Sequence, residues 1–175
     1  MTIPASRLTL VLGGARSGKS RYAESLTMGF PPPWDYVATA EPLDDEMAAR
    51  IAAHRTRRAA DWRTIEAPRD LAGAVAGAPA GSVVLVDCLT LWLSNVMLAG
   101  ADIDTEIDRL DGELARATTP IVLVSNEVGS GIVPDNALAR RFRDAQGRLN
   151  QRIAARADRV VLMVAGLPLV VKGNA

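Results

Sequence analysis

The chain has 175 residues, 49% of them hydrophobic, which supports one domain (1–175) with a substantial core and is short for two. Its 20 basic and 20 acidic residues balance, so no broad field is present to hold nucleic acid and any phosphate chemistry must be local. Cys88 is the single cysteine, which fits a reducing compartment, and no stretch reaches the roughly 20 apolar residues of a membrane helix, so a cytoplasmic protein without a membrane span is expected.

The first apolar run, "LTLVL" (Leu8 to Leu12), predicts a strand and leads directly into "GGARSGKS". Here Gly13, Gly14, Ala15, Arg16, Ser17, Gly18, Lys19 and Ser20 satisfy the G-x-x-x-x-G-K-[ST] phosphate-loop pattern. Glycines allow a tight loop whose backbone N–H groups point at phosphate oxygens, and the following helix adds its positive end. Lys19 would then neutralise the β- and γ-phosphates and Ser20 would ligate Mg²⁺. The alternative is an ordinary glycine turn. Lysine usage favours the loop, because the chain has two lysines against 18 arginines and one of the two is Lys19. The dinucleotide fingerprint G-x-G-x-x-G is absent, which weakens a dehydrogenase reading.

A second strand is expected over "DYVAT" (Asp35 to Thr39), after the loop "FPPPWD". In the segment that follows, Leu43, Met47, Ile51 and His54 share one helical face, with Asp44, Asp45 and Glu46 at the start and Arg55, Arg57 and Arg58 at the end. His54 is the only histidine. One reading makes it a partly buried residue at the end of an amphipathic helix. The other places it over the nucleotide site, where the arginines clamp phosphates and their charge keeps the imidazole neutral and nucleophilic.

"SVVLVD" (Ser82 to Asp87) predicts a strand ending in an acidic residue, placed to hold Mg²⁺ or to cap the helix of "CLTLWLSNVML". A helix over "DIDTEIDRLDGELARA" buries Ile103, Ile107, Leu110 and Leu114, and "PIVLVS" (Pro120 to Ser125) reads as another strand. In "SNEVGSGIVP", Asn126 and Glu127 either project near the site or form a structural turn that Gly129 and Gly131 permit. "ALARRFRDAQGRLNQRIAARA" repeats the helical pattern with Leu138, Phe142, Leu149 and Ile153, and reads as a packing helix rather than a ligand site. "RVVLMVAG" (Arg159 to Gly166) is a strand, and "GLPLVV" is expected to return as a short antiparallel edge. Trp34, Trp62 and Trp92 are too scattered for base stacking and read as core or interface anchors.

Continuous apolar strands alternating with helices imply a three-layer α/β P-loop NTPase fold with a mostly parallel sheet. The residues alone reach a P-loop phosphotransferase and leave its substrate open. A nucleotide-switched binding module and a simple small-molecule kinase both remain compatible with them.

Six ordered motifs narrow this. "GGARSGKSRYAE", "DDEMAARIAAHRTRR", "WRTIEAP", "LVDCLTLWLSN", "SNEVGSGIVPDN" and "FRDAQGRLNQRIA" resemble, over nearly the whole chain, the bifunctional adenosylcobinamide kinase / adenosylcobinamide-phosphate guanylyltransferase family of cobalamin biosynthesis. The resemblance implies two activities. A nucleoside triphosphate, ATP or GTP, phosphorylates the aminopropanol hydroxyl of adenosylcobinamide. GTP then places GMP on a histidine, which passes it to adenosylcobinamide phosphate to give adenosylcobinamide-GDP.

By the same resemblance the guanylylated residue is His54, and GTP contacts come from Gly13 to Ser20, from Thr39, Ala40 and Glu41, from Arg55, Thr56, Arg57 and Arg58, from Glu66, and from Asp87. A homotrimer is likewise implied. Where the family often has Arg-Pro, this chain has Arg58 and Ala59.

Overall fold

A computed structural model of the chain describes residues 6–41 and 61–174. Seven strands form one sheet: β1 (Leu8–Gly13), β2 (Trp34–Ala38), β3 (Trp62–Glu66), β4 (Val83–Asp87), β5 (Ile121–Asn126), β6 (Arg159–Val164) and β7 (Leu167–Lys172). Their order is β3-β2-β4-β5-β1-β6-β7, parallel throughout except for the antiparallel β6–β7 pair. This is the α/β architecture with an antiparallel edge that the sequence predicts.

Among the described residues five helices connect the strands: α1 (Lys19–Thr27), α2 (Leu71–Ala76), α3 (Leu89–Leu98), α4 (Ile103–Arg116) and α5 (Ala137–Arg156). The central strands are buried on both faces because helices cover both, which is why their sequences are continuously apolar. On one face Leu8, Leu10, Val84, Val86 and Leu123 meet α2 to α5 through Leu71, Leu89, Trp92, Leu110 and Leu149. On the other, Val11, Leu85, Val122 and Val161 meet α1 through Ala23, Tyr22 and Leu26.

The face predicted for α4 is the one that packs, with Ile103, Ile107, Leu110 and Leu114 all buried. In α5, Leu149 and Ile153 are buried and Phe142 packs at the rim, but Leu138 is exposed, since no residue of this helix before Ala145 is buried. β3 escapes the strand expectations. It is an edge strand whose residues are half-buried or exposed, held to β2 by a full parallel ladder and by Arg63, which donates in a bidentate pair to the buried Asp35 at 2.7 and 2.8 Å. Trp34 and Trp62 pack beside each other across that ladder with ring centroids 5.4 Å apart. Trp92 lies in the core.

Candidate active site

Parallel pairing gathers the candidate residues along one edge of the sheet. Gly13 lies opposite Asn126, Ala38 opposite both Glu66 and Asp87, and Asp87 opposite Val124. The carboxyl ends of β3, β2, β4, β5 and β1 therefore present Glu66, Thr39, Asp87, Asn126 and Gly13 in that order, at the edge where open α/β sheets bind ligands.

The loop between β1 and α1 supplies the phosphate-binding end. A β-carbon on Gly13 would lie 2.6 Å from Ser17 Oγ and 2.8 Å from the Met163 carbonyl, so the position accepts only glycine without displacing backbone. Gly18 stands in the left-handed region at φ 92°, immediately before Lys19 opens α1. Gly14, Ala15, Arg16 and Gly18 are exposed, while the Ser17 carbonyl is tied to the β6–β7 turn by the Gly166 N–H at 3.1 Å.

Lys19 is 8% exposed and donates from Nζ to the Gly14 carbonyl at 2.6 Å. Burial lowers its pKa, and the proximity of Cys88 and Asp87 works against that shift. Burial, and then the nearby Asp87, push the Cys88 thiol up to about 11, so at neutral pH the thiol is uncharged. The Tyr36 phenol donates to Asp87 Oδ2 at 3.0 Å and fixes that carboxylate at the tip of β4. The half-buried Ser20 hydroxyl makes no hydrogen bond among the described residues.

No cluster of three or more metal-ligating side chains occurs among the described residues. In phosphate sites Mg²⁺ is commonly held by one carboxylate, a hydroxyl and substrate phosphates, and Ser20 and Asp87 are hard oxygen donors of this kind. Asp87 also precedes α3, but the N-cap of α3 is Cys88, so the carboxylate does not cap the helix.

At the other end of the edge, α3 braces the exits of β2 and β3. Asn95 donates to the carbonyls of Thr39 at 2.8 Å and Pro68 at 3.0 Å, and Trp92, three residues before it on the same face, donates from Nε1 to Arg69 O at 2.8 Å. The fully buried Thr39 hydroxyl donates to Cys88 O and accepts from Cys88 N, both at 2.8 Å, welding β2 to the end of β4. These groups hold Glu41 and Glu66 on the wall of an open depression of about 460 Å³, where Arg69 pairs with Glu41 at 3.2 Å. Asn95 and Arg69 are absent from the sequence expectations, and Trp92 appears there only as a core or interface anchor. Nothing in helical periodicity separates a buried asparagine that binds carbonyls from one that faces solvent.

Between the two ends lies Asn126. Its N–H donates to Thr90 Oγ1 at 2.8 Å, its carbonyl accepts from Asn150 Nδ2 at 3.0 Å, and the next residue, Glu127, donates its N–H to Gly13 O at 3.0 Å. Asn126 and Glu127 thus do end a strand beside the phosphate loop. Glu127 turns its carboxylate back to the Gly129 N–H at 2.6 Å. His54, Arg55, Thr56, Arg57 and Arg58 lie outside the described residues, while Ala40 continues the β2 exit between Thr39 and Glu41.

A family model described as cobinamide kinase / cobinamide phosphate guanyltransferase matches residues 9–171. The bifunctional adenosylcobalamin biosynthesis protein CobP of Pseudomonas aeruginosa is 49% identical over 94% of this chain and 97% of its own length. The bifunctional adenosylcobalamin biosynthesis protein CobU of Salmonella typhimurium is 45% identical over 94% of this chain and 99% of its own. Among solved structures, a prototypical ATPase from the type III secretion system of pathogenic bacteria superimposes with a TM-score of 0.55 at 11% identity, over 94% of this chain and 56% of that one. The flagellar accessory protein FlaH of Methanocaldococcus jannaschii gives 0.53 at 15% identity, over 96% and 79%. These last two likenesses are of fold.

Proposed function

Because this chain belongs to the cobinamide kinase / cobinamide phosphate guanyltransferase family, we propose that it catalyses two successive transfers to one corrinoid. The first phosphorylates the aminopropanol hydroxyl of adenosylcobinamide with ATP or GTP. The second moves GMP from GTP, through His54, to adenosylcobinamide phosphate, giving adenosylcobinamide-GDP and pyrophosphate.

The observation that carries this reading is the phosphate loop with Lys19, set along the same sheet edge as Asp87, Thr39 and Glu66. In the kinase step the acceptor oxygen bonds to the γ-phosphorus, the β–γ bridging bond breaks, and the hydroxyl proton is released. In the guanylyl step a ring nitrogen of His54 bonds to the α-phosphorus and pyrophosphate leaves. The phosphate of the acceptor then displaces histidine from phosphorus, restoring the free imidazole. Dividing the second transfer this way gives ping-pong kinetics.

Lys19 places a compact positive charge against the phosphates, where a buried ammonium acts more strongly than in water. Mg²⁺, held by Ser20, Asp87 and phosphate oxygens, would neutralise further charge on the leaving group. The backbone of Gly13 to Ser20 orients the phosphates. Glu41 and Glu66, fixed by the α3 donors, contact the nucleoside end, with Thr39 and Ala40 shaping the backbone between them. Arg55, Thr56, Arg57 and Arg58 follow His54 closely enough to bind the triphosphate it attacks. Three copies of the chain associate, as the family resemblance implies.

Incubation with GTP labelled at the α-phosphate tests the covalent step. Active enzyme should retain an acid-labile label, and His54→Ala should abolish it while ATP-dependent phosphorylation of adenosylcobinamide persists. An active enzyme that takes up no label is a kinase without the intermediate. Full labelling of the alanine variant would move the nucleophile elsewhere.

A further inference from the structure

β5 outruns its neighbour. The β4–β5 ladder stops at Asp87 opposite Val124, whereas β5 continues to Asn126, opposite Gly13 of β1. Asn126 therefore has no β4 partner, and a backbone group in that position must find another. It finds two side chains: the Thr90 hydroxyl in the first turn of α3 accepts from its N–H, and the Asn150 amide in α5 donates to its carbonyl.

The support extends downward into the protein. Ser125 donates to Asn150 Oδ1 at 2.7 Å, and Gln146 donates to both Ser125 Oγ at 2.9 Å and Asn150 Oδ1 at 3.0 Å. Ser125, Gln146 and Asn150 are all buried. A buried polar cluster is costly unless nearly every group is satisfied, and apolar residues would pack the same space more simply. What this cluster fixes is one residue at the strand end.

The side chain of that residue is itself uncommitted. Asn126 is half-buried, and its amide makes no hydrogen bond among the described residues, although its backbone is held on both sides. It stands between Asp87 and Gly13, the strand ends that flank the phosphate site, with neighbouring strands only about 4.8 Å apart. An amide held rigidly there and free of competing partners is a pre-organised donor for charge that develops on a phosphoryl group.

We infer that Asn126 is a further catalytic residue of the kinase step, donating Nδ2–H to a non-bridging oxygen of the phosphoryl group in transfer. It forms no covalent bond and exchanges no proton. Thr90 and Asn150 are positioning residues that act through its backbone. The inference rests on the kinase half of the proposed function. In the guanylyl step the attacked phosphorus is the α, two phosphates from the γ, so that step depends less on Asn126.

Asn126→Ala and Asn126→Asp, in the full chain, are compared with wild type in four measurements: ATP-dependent phosphorylation of adenosylcobinamide, ATP affinity, covalent labelling by GTP, and Tm. Removing one such donor typically lowers turnover about 10²- to 10³-fold. A kcat loss of that order is expected in Asn126→Ala, with ATP affinity, labelling rate and Tm near wild type, whereas Asn126→Asp sets a negative charge against the phosphates and is expected to weaken ATP binding as well. Thr90→Val is expected to lower kcat about tenfold without raising KM, and Thr90→Ser to restore it, as loss of one hydroxyl contact through the backbone would do. Kinase turnover retained within about fivefold in Asn126→Ala, or a parallel fall in both reactions, overturns the inference while leaving the proposed function intact. Wild-type enzyme unable to phosphorylate the corrinoid at all removes the proposed function, and this inference with it.

Discussion

Lys19 sits where replacement separates charge from shape. Its ammonium is nearly enclosed and donates to Gly14 O, and Asp87 is near enough to oppose the effect of burial on its pKa. Lys19→Ala removes the charge and is expected to lower kcat/KM for both transfers by about 10² or more. Lys19→Arg keeps the charge but forces a planar guanidinium into space shaped for a point charge, and steady-state kinetics should show a comparable loss. Gly13 fails by a different route. Its missing β-carbon leaves room for the Met163 carbonyl, so Gly13→Ala must shift β6 or the loop, and nucleotide affinity is expected to fall at least tenfold in a fluorescence titration. Both residues are legible in the sequence, because the phosphate-loop spacing encodes a backbone shape and a charge that few other residue choices would give. Asn126 is half legible: its position at a strand end follows from the apolar run before it, but its isolation from β4 depends on where a neighbouring ladder stops. No local pattern contains that information.

Among the elements, α3 shows how a helix that reads as plain core takes on a positioning task. It is among the most apolar segments of the chain, yet Trp92 and Asn95 present N–H donors to three carbonyls beyond β2 and β3. Asn95→Ala leaves buried acceptors at Thr39 and Pro68 without that donor, and urea unfolding should show a loss of about 2 kcal/mol. The strands divide similarly. β1, β4, β5 and β6 are continuous apolar runs because helices cover both faces, and their positions were readable to within a residue or two. β3 lies at the sheet edge with neither clean alternation nor an apolar run, and is held by its ladder and the Arg63–Asp35 pair, which link residues distant in sequence. The α4–α5 contact adds a pH dependence. Asp111, 5% exposed, binds Arg156 and Arg152, and hydrogen bonds from Arg156 foremost hold its carboxyl below the usual carboxylate range. A depressed folded-state pKa gives stability that is present above the unfolded value and lost as pH falls through the folded one. Asp111→Asn should therefore be less stable than wild type by about 2 kcal/mol at pH 7, with the gap closing as acid protonates wild-type Asp111. A gap that persists unchanged in strong acid would exclude the ion pairs as its source.

At the scale of the whole molecule, the far edge of the sheet is exposed and apolar. Leu167 and Leu169 alternate along β7 and share one face of it, Val171 follows at an irregularity in the β6–β7 pairing, and the three are 71%, 57% and 63% exposed. Edge strands are usually guarded by charge, lysine above all. Here Lys172 is drawn away, donating to the carbonyls of Ala154 and Ala155 near the end of α5, where a cation suits the helix dipole. Net charge offers no protection either, because the formal charge is zero and self-repulsion is correspondingly small. An unguarded apolar edge on a neutral chain favours association over a free monomer, which is the physical support for the proposed trimer. Sedimentation equilibrium is expected to give three times the 18.6 kDa chain mass. Leu169→Lys, placing charge in the middle of the stripe, should shift the equilibrium towards monomer while circular dichroism stays that of the folded chain. A wild-type monomer at micromolar concentration would overturn the trimer. A trimer that ignores Leu169→Lys would place its contacts away from β7 and leave the edge to be explained by another association.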